Sequence, residues 1–127
     1  MSEIKVGQLQ FSGDTDISIL QNASATSDVI KLKTIGPNGF FGLELVTVSA
    51  GGGTIKAEVL VCSTEDGTFT TPEDKDGTAI DEIVTAHAAG QKYYGLPAFP
   101  VAPYLKIKFT ENNVAAVTSL QARIIIQ

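Results

Sequence analysis

Residues 54–63, TIKAEVLVCS, set Ile55, Ala57, Val59 and Val61 at every second position, with Lys56 and Glu58 between them. Strict alternation of this kind marks a β-strand that buries one face. Towards its end Leu60 and Cys62 make the other face apolar as well, which implies cover on both sides there. Gly51-Gly52-Gly53 precedes the strand, and the turn-forming run STEDGTF, residues 63–69, follows it. A phosphate loop needs a second glycine directly before its lysine and a helix behind it; this triplet leads through Thr54 and Ile55 to Lys56 on a strand. The triplet therefore reads as a hairpin turn joining this strand to the one before.

Outward from this strand the same pattern recurs. FFGLELVTVSA, residues 40–50, is rich in β-branched and aromatic residues and follows Gly36-Pro37-Asn38-Gly39, a turn sequence, so a hairpin is expected there too. DVIKLKTI, residues 28–35, alternates Ile30 and Leu32 against Lys31 and Lys33. EIKVGQLQF, residues 3–11, changes phase near Gly7, which suggests a bulge or bend. TDISIL reads as a short strand and QNASATS, residues 21–27, as a polar loop. QKYYGL and PYLKIKFT are further strands, the latter with Leu105, Ile107 and Phe109 inward and Lys106 and Lys108 outward. After the turn ENN, the segment AAVTSLQARIIIQ places Thr118, Leu120, Ala122, Ile124 and Ile126 on one face. Between residues 78 and 90, Ile80, Ile83, Val84 and His87 recur at helical spacing, but the β pattern on either side favours a strand. About eight or nine short antiparallel strands, with at most one short helix, imply an all-β fold: a β-sandwich of jelly-roll-like type.

At 127 residues the chain is expected to form one domain, residues 1–127. Hydrophobic residues make up 43% and charged ones 18%, a globular balance. The single cysteine, Cys62, excludes an internal disulfide, and no cysteine pair exists to hold a structural zinc. The net charge of −5 argues against a phosphate-backbone binder, so no nucleic-acid partner is expected. No run approaches the roughly 18 apolar residues that span a bilayer. The start MSEIKVGQLQF lacks the basic region and apolar core of a secretory signal, so cytoplasmic synthesis is expected, without a membrane partner. The Asn22-Ala23-Ser24 sequon then has no role.

Candidate chemistry is sparse. Glu65, Asp66, Glu73, Asp74, Asp76, Asp81 and Glu82 are half of the fourteen acids. Within PEDKDGTAID, Asp74, Asp76 and Gly77 fit an EF-hand loop, but Pro72 and Ile83 fall where its first and last ligands belong. These acids read better as solvated loops that discourage edge-to-edge association, and no metal is expected. His87, the sole histidine, has no nucleophile beside it in sequence, and a pairing with Cys62 would have to be made by the fold. Acids crowded into loops do not make the two separated carboxyls of a glycosidase. No catalytic residue and no cofactor is expected. YYGLPAFPVAPY, residues 93–104, gathers Tyr93, Tyr94, Phe99 and Tyr104 with three prolines. With Lys106, Lys108 and Arg123, which would adjoin if the last two strands paired, these form the candidate interaction surface.

Three pieces in order, GGTIKAEVLVCSTEDGTF (52–69), APYLKIKFT (102–110) and AAVTSLQARIIIQ (115–127), resemble small all-β virion proteins of tailed bacteriophages, of the head decoration or accessory type. The resemblance spans about the last 80 residues and implies a jelly-roll-like sandwich. It also implies a non-enzymatic structural protein of the virion, made in the host cytoplasm and acting through repeated contacts with the capsid or another virion protein, as a homo-oligomer. A strand running into a DG turn also occurs in sugar-binding sandwiches. A carbohydrate-binding module or fibre-tip domain, with a glycan as partner, is therefore the alternative.

Overall fold

The computed structural model describes residues 5–31, 41–49, 53–80, 82–95 and 102–126. The expected GPNG turn, Phe99, Gly51 and Gly52 lie outside them. Ten strands follow one another: β1 (Lys5–Gln8), β2 (Ile17–Ile19), β3 (Ser24–Thr26), β4 (Ile30–Lys31), β5 (Phe41–Ser49), β6 (Ile55–Cys62), β7 (Glu82–His87), β8 (Gly90–Gly95), β9 (Tyr104–Glu111) and β10 (Val117–Ile126). There is no helix among the described residues.

β1 and β2 both pair with β10, and β3 and β4 both with β9, so each pair acts as one interrupted edge strand. The first sheet runs β1/β2–β10–β5–β8 and the second β3/β4–β9–β6–β7, antiparallel throughout. Among the described pairings, β6 and β7 are the one consecutive pair that hydrogen-bond to each other; otherwise the chain crosses between sheets or breaks within an edge. Two four-position sheets wound in this way form a jelly-roll β-sandwich.

Alternation explains the packing. Along β6, Ile55, Ala57 and Val59 are buried, and along β9 so are Leu105, Ile107 and Phe109. From the first sheet Leu43, Leu45, Leu120, Ala122 and Ile124 meet them, and the Phe11 and Phe109 rings lie 5.7 Å apart. Each buried Leu or Ile contributes about 1.5–3 kcal/mol. An exposed ion pair contributes about 1 kcal/mol at most, so the shared core holds the sheets together.

Several local expectations give way to tertiary pairing. The hairpin expected at the glycine triplet is not formed, because β5 belongs to the first sheet and β6 to the second. Period-two alternation shows which side of a strand faces the core, and both strands face the same core from opposite sides. Part of the expected loop QNASATS is β3, whose Ser24 and Thr26 pair with Thr110 and Lys108. No bulge occurs at Gly7, since β1 keeps a regular register with Ile124 opposite Gly7. In β10 the register shifts between Val117 and Ser119, so Val117 is buried and Thr118 exposed, against the expected phase.

The 78–90 segment takes the strand reading as β7. Ile55 opposes His87 and Ala57 opposes Val84, so three steps on β7 match two on β6. This bulge lets residues three apart, Val84 and His87, both point inward, which is the spacing that looks helical in sequence.

Candidate functional site

The outer face of the first sheet carries a polar cluster. Gln8 on β1, Arg123 on β10, Glu44 on β5 and Tyr93 on β8 stand directly opposite one another in a single cross-strand row. Glu44 points away from the core, yet is only 6% exposed. Its Oε1 accepts from Arg123 Nη1 at 2.9 Å, and its Oε2 accepts from the Gln91 amide. The Gln91 amide also reaches the Tyr93 hydroxyl at 3.1 Å. The Gln91 hydrogen bond holds the Glu44 carboxyl below the usual carboxylate range, against the pull of burial, with Tyr93 and Arg123 adding to the effect. Tyr93 itself is 66% exposed, and its hydrogen bond to Glu44 raises its pKa. One row along, Ser119 and Gln121 both donate to the carboxylate of Asp16, at 2.7 and 3.3 Å.

The outer face of the second sheet is basic. On β9 the outward residues are Tyr104, Lys106, Lys108 and Thr110. Lys108 opposes Glu58, Thr110 opposes Lys56, and Lys31 on β4 opposes Tyr104, with Nζ 6.0 Å from the ring centre. Phe69, from the segment after β6, lies under Lys106 Nζ at 4.7 Å. Lys56 and Glu58 approach to 3.8 Å.

These placements divide the candidate surface read from sequence. Tyr104, Lys106 and Lys108 share one outer face, whereas Tyr93 and Arg123 share the other. β9 and β10 do not pair, so Arg123 does not adjoin the two lysines; it answers Glu44 instead. Tyr94 packs against the core from β8.

Tyr94 faces His87, the rings meeting edge to face with centres 5.8 Å apart. His87 is fully buried, its Nδ1 2.9 Å from the Tyr94 hydroxyl and its Nε2 3.2 Å from the Gly90 carbonyl oxygen. A carbonyl only accepts, so Nε2 carries the proton and Nδ1 accepts from Tyr94. Burial lowers the His87 pKa, only partly opposed by the Gly90 carbonyl. Cys62 sits at the opposite end of β6 from the residue that pairs with His87, about 23 Å away at 3.3 Å per residue. No Cys–His couple exists. The Cys62 thiol instead accepts from Thr64 N at 3.5 Å, which lowers its pKa.

Two loops at one end of the sandwich are tied together by Glu111, which is 1% exposed. Its carboxylate accepts from the backbone N–H groups of Asn22 at 2.8 Å, Val114 at 3.0 Å and Ala115 at 3.3 Å. Burial pushes its pKa up, but these backbone donors outweigh it and the net direction is down. Asn112 adds bonds to Thr54 Oγ1 at 2.9 Å and to the Thr85 carbonyl at 3.4 Å. At the other end, Asp74 Oδ1 accepts from the N–H groups of Asp76 and Thr78, at 2.9 and 3.0 Å, and closes a tight turn at Gly77. Among the described residues no three acids, His or Cys converge as metal ligands would.

Glu44 and Glu111 escape a motif search, though each leaves a trace. Glu44 is the one acid in an otherwise apolar run, and Glu111 stands directly before an Asn-Asn turn.

No protein-family profile matches the sequence, and no curated protein does. Solved structures share the fold. A chain of the T13 IBDV viral particle is 11% identical with a TM-score of 0.54, the match covering 98% of this chain and 31% of that one. A chain from the Gx strain of infectious bursal disease virus is 15% identical with a TM-score of 0.51, covering 98% and 33%. The CBM22-1–GH10 modules of Clostridium thermocellum endo-1,4-β-D-xylanase 10B, complexed with xylohexaose, are 10% identical with a TM-score of 0.50, covering 98% and 25%. This chain thus spans about a third or less of each of these three chains, and the likeness is one of fold.

Proposed function

We propose that this protein is a non-enzymatic structural component of a phage virion, a decoration or accessory protein that docks on an acidic surface of the shell through the outer face of its second sheet. The observation that carries this reading is charge segregation. On a chain of net charge −5, Lys31, Lys56, Lys106 and Lys108 gather on one sheet face with Glu58 between them. Single exposed ion pairs contribute about 1 kcal/mol at most, so one copy binds weakly. A symmetric shell presents many identical sites, and complementary charge steers each copy onto its own. The fold shared with chains of a viral particle supports the reading.

Isolated heads of the parent phage, stripped of this protein, provide the test. The protein should co-sediment with them in a copy number that follows shell symmetry, and binding should weaken as salt rises. Lys106→Glu with Lys108→Glu should abolish attachment while leaving the fold intact. Failure of the wild-type protein to sediment with heads would sink the proposal.

A second reading rests on the other outer face. Tyr93 offers an exposed ring flanked by the amide of Gln91, the carboxylate of Glu44 and the guanidinium of Arg123, a combination suited to stacking on a sugar and bonding its hydroxyls. The xylohexaose-bound xylanase modules that share the fold support it. A glycan array decides it: specific binding lost in Tyr93→Ala would establish this reading, and an empty array would remove it.

A further inference from the structure

The outward side of β6 changes character along its length. It begins with Lys56 and Glu58, as a solvated sheet face requires, and ends with Leu60 and Cys62. Across β9, Leu60 opposes Lys106 and Cys62 opposes Tyr104. Beyond the end of β7, Thr70 bridges Val61 and continues the sheet, which brings Phe69 to the same end, close to Lys106. Leu60, Cys62, Phe69 and Tyr104 are each half-buried. A strand end that is apolar on both sides calls for cover on both. The core supplies it on the inner side, where Val61 packs. On the outer side the turn 63–69 curls over Cys62, with Thr64 N 3.5 Å from the thiol, and the lysines lie along the two rings. That cover leaves all four residues partly open to water.

Cations without an anion border this apolar end. Among the described residues Lys56 pairs with Glu58 and Lys75 with Asp76, whereas Lys31, Lys106 and Lys108 form no ion pair. That is notable on a chain of net charge −5. The Lys31 and Lys106 ammonium groups are already held near the Tyr104 and Phe69 rings, at 6.0 and 4.7 Å from their centres. Side chains fixed in this way lose little freedom when a carboxylate meets them. On the other flank, Glu65 and Asp66 are exposed on the turn beyond β6 and repel carboxylates.

We infer that contact with the shell centres on Leu60, Phe69 and Tyr104, and that the partner is an acidic shell segment carrying an apolar side chain, its carboxylates turned towards β4 and β9. The inference rests on the docking reading above and divides the work within that face. Unpaired lysines select carboxylates and exclude a basic partner. A purely polar acidic surface would leave Leu60 and Phe69 partly wet in the complex, so the segment that fits also fills the apolar end. An apolar centre shielded by a polar rim holds a complex together, while rim charges chiefly set how fast it forms.

Stripped heads immobilised on a biosensor, with the full-length protein in solution, give association and dissociation rates separately. Leu60→Thr with Phe69→Thr should speed dissociation at least about tenfold, while salt still weakens binding as it does for the wild type. Leu60→Thr alone should act in the same direction by a smaller factor, and serves if the pair disturbs the circular dichroism spectrum. Lys31→Gln with Lys108→Gln should instead slow association and flatten its salt dependence. Leu20→Gln, at an aliphatic residue 70% exposed away from this face, should change neither rate. A wild type that leaves the heads bare would remove the docking reading and this inference together. Heads that bind the wild type and release the Leu60 and Phe69 variants no faster would overturn this inference alone.

Discussion

The hydroxyl of Tyr94 donates to Nδ1 of His87 across 2.9 Å, between neighbouring strands of different sheets, and so satisfies the ring nitrogen of an imidazole that burial holds neutral. Burial holds the His87 pKa below its ordinary 6.5. The unfolded chain therefore binds a proton that the folded chain refuses, in the window between 6.5 and the lower folded value. Stability is full above 6.5 and falls as the pH drops through that window. His87 is the sole histidine, so urea midpoints measured from pH 7.5 down to about pH 5 should report it alone. His87→Gln should flatten the pH dependence even where it lowers stability overall. An unchanged slope in that variant would contradict the buried, neutral histidine.

Glu111 acts lower on the pH scale. Its backbone donors hold the carboxyl below its ordinary 4.5, so its contribution is full above that value and is lost as the pH falls through it towards the folded pKa. Glu111→Gln keeps the shape but turns an N–H2 group towards backbone donors that need an acceptor. The thermal midpoint at pH 7 should drop by several degrees. Amide exchange should speed up at Asn22, Val114 and Ala115 and little elsewhere. Uniform loss of protection would mean that Glu111 holds the whole sandwich rather than one end.

Gly67 closes the turn after β6 for want of space. A Cβ there would stand 2.6 Å from Cys62 Sγ and would collide with Thr64 Oγ1. Gly67→Ala should destabilise by about 1–3 kcal/mol in denaturant unfolding. Adding Thr64→Ala should recover part of that loss, since the threonine hydroxyl is one of the two obstacles. If Gly67→Ala were neutral, the turn would be looser than its geometry indicates.

The contrast between legible and illegible features has one physical root. Side-chain alternation depends on neighbours one and two residues away, so the cores of β5, β6, β9 and β10 stand out in the chain itself. Strand partners are chosen by contacts tens of residues away. That is why Gly51-Gly52-Gly53 looks like a hairpin turn although β5 and β6 lie in different sheets, and why Arg123 looks like a neighbour of Lys106. Short edge strands such as Ser24–Thr26 carry no apolar signal and exist through β9. Of the candidate surface, the alternation of Tyr104, Lys106 and Lys108 is readable from spacing. The burial of Glu44 depends on Gln91 and Tyr93 arriving from β8, which no local pattern announces.

The Glu44–Arg123 pair allows that long-range choice to be weighed. The two residues come from β5 and β10, with Glu44 buried and Arg123 about one-third exposed at 32% of its side chain. Removing the arginine leaves a buried carboxylate with Gln91 and Tyr93 as its remaining donors; removing the glutamate leaves a cation that water reaches. Arg123→Met should therefore destabilise more than Glu44→Met, an asymmetry that the ion-pair distance alone does not predict. The double variant should be more stable than the sum of the single losses, with a coupling of about 0.5–3 kcal/mol towards the lower end because of solvent at Arg123. A double-mutant cycle in urea gives both quantities. Zero coupling would mean that the pair is incidental to the sheet, and equal single losses would mean that Glu44 is no more desolvated than its partner.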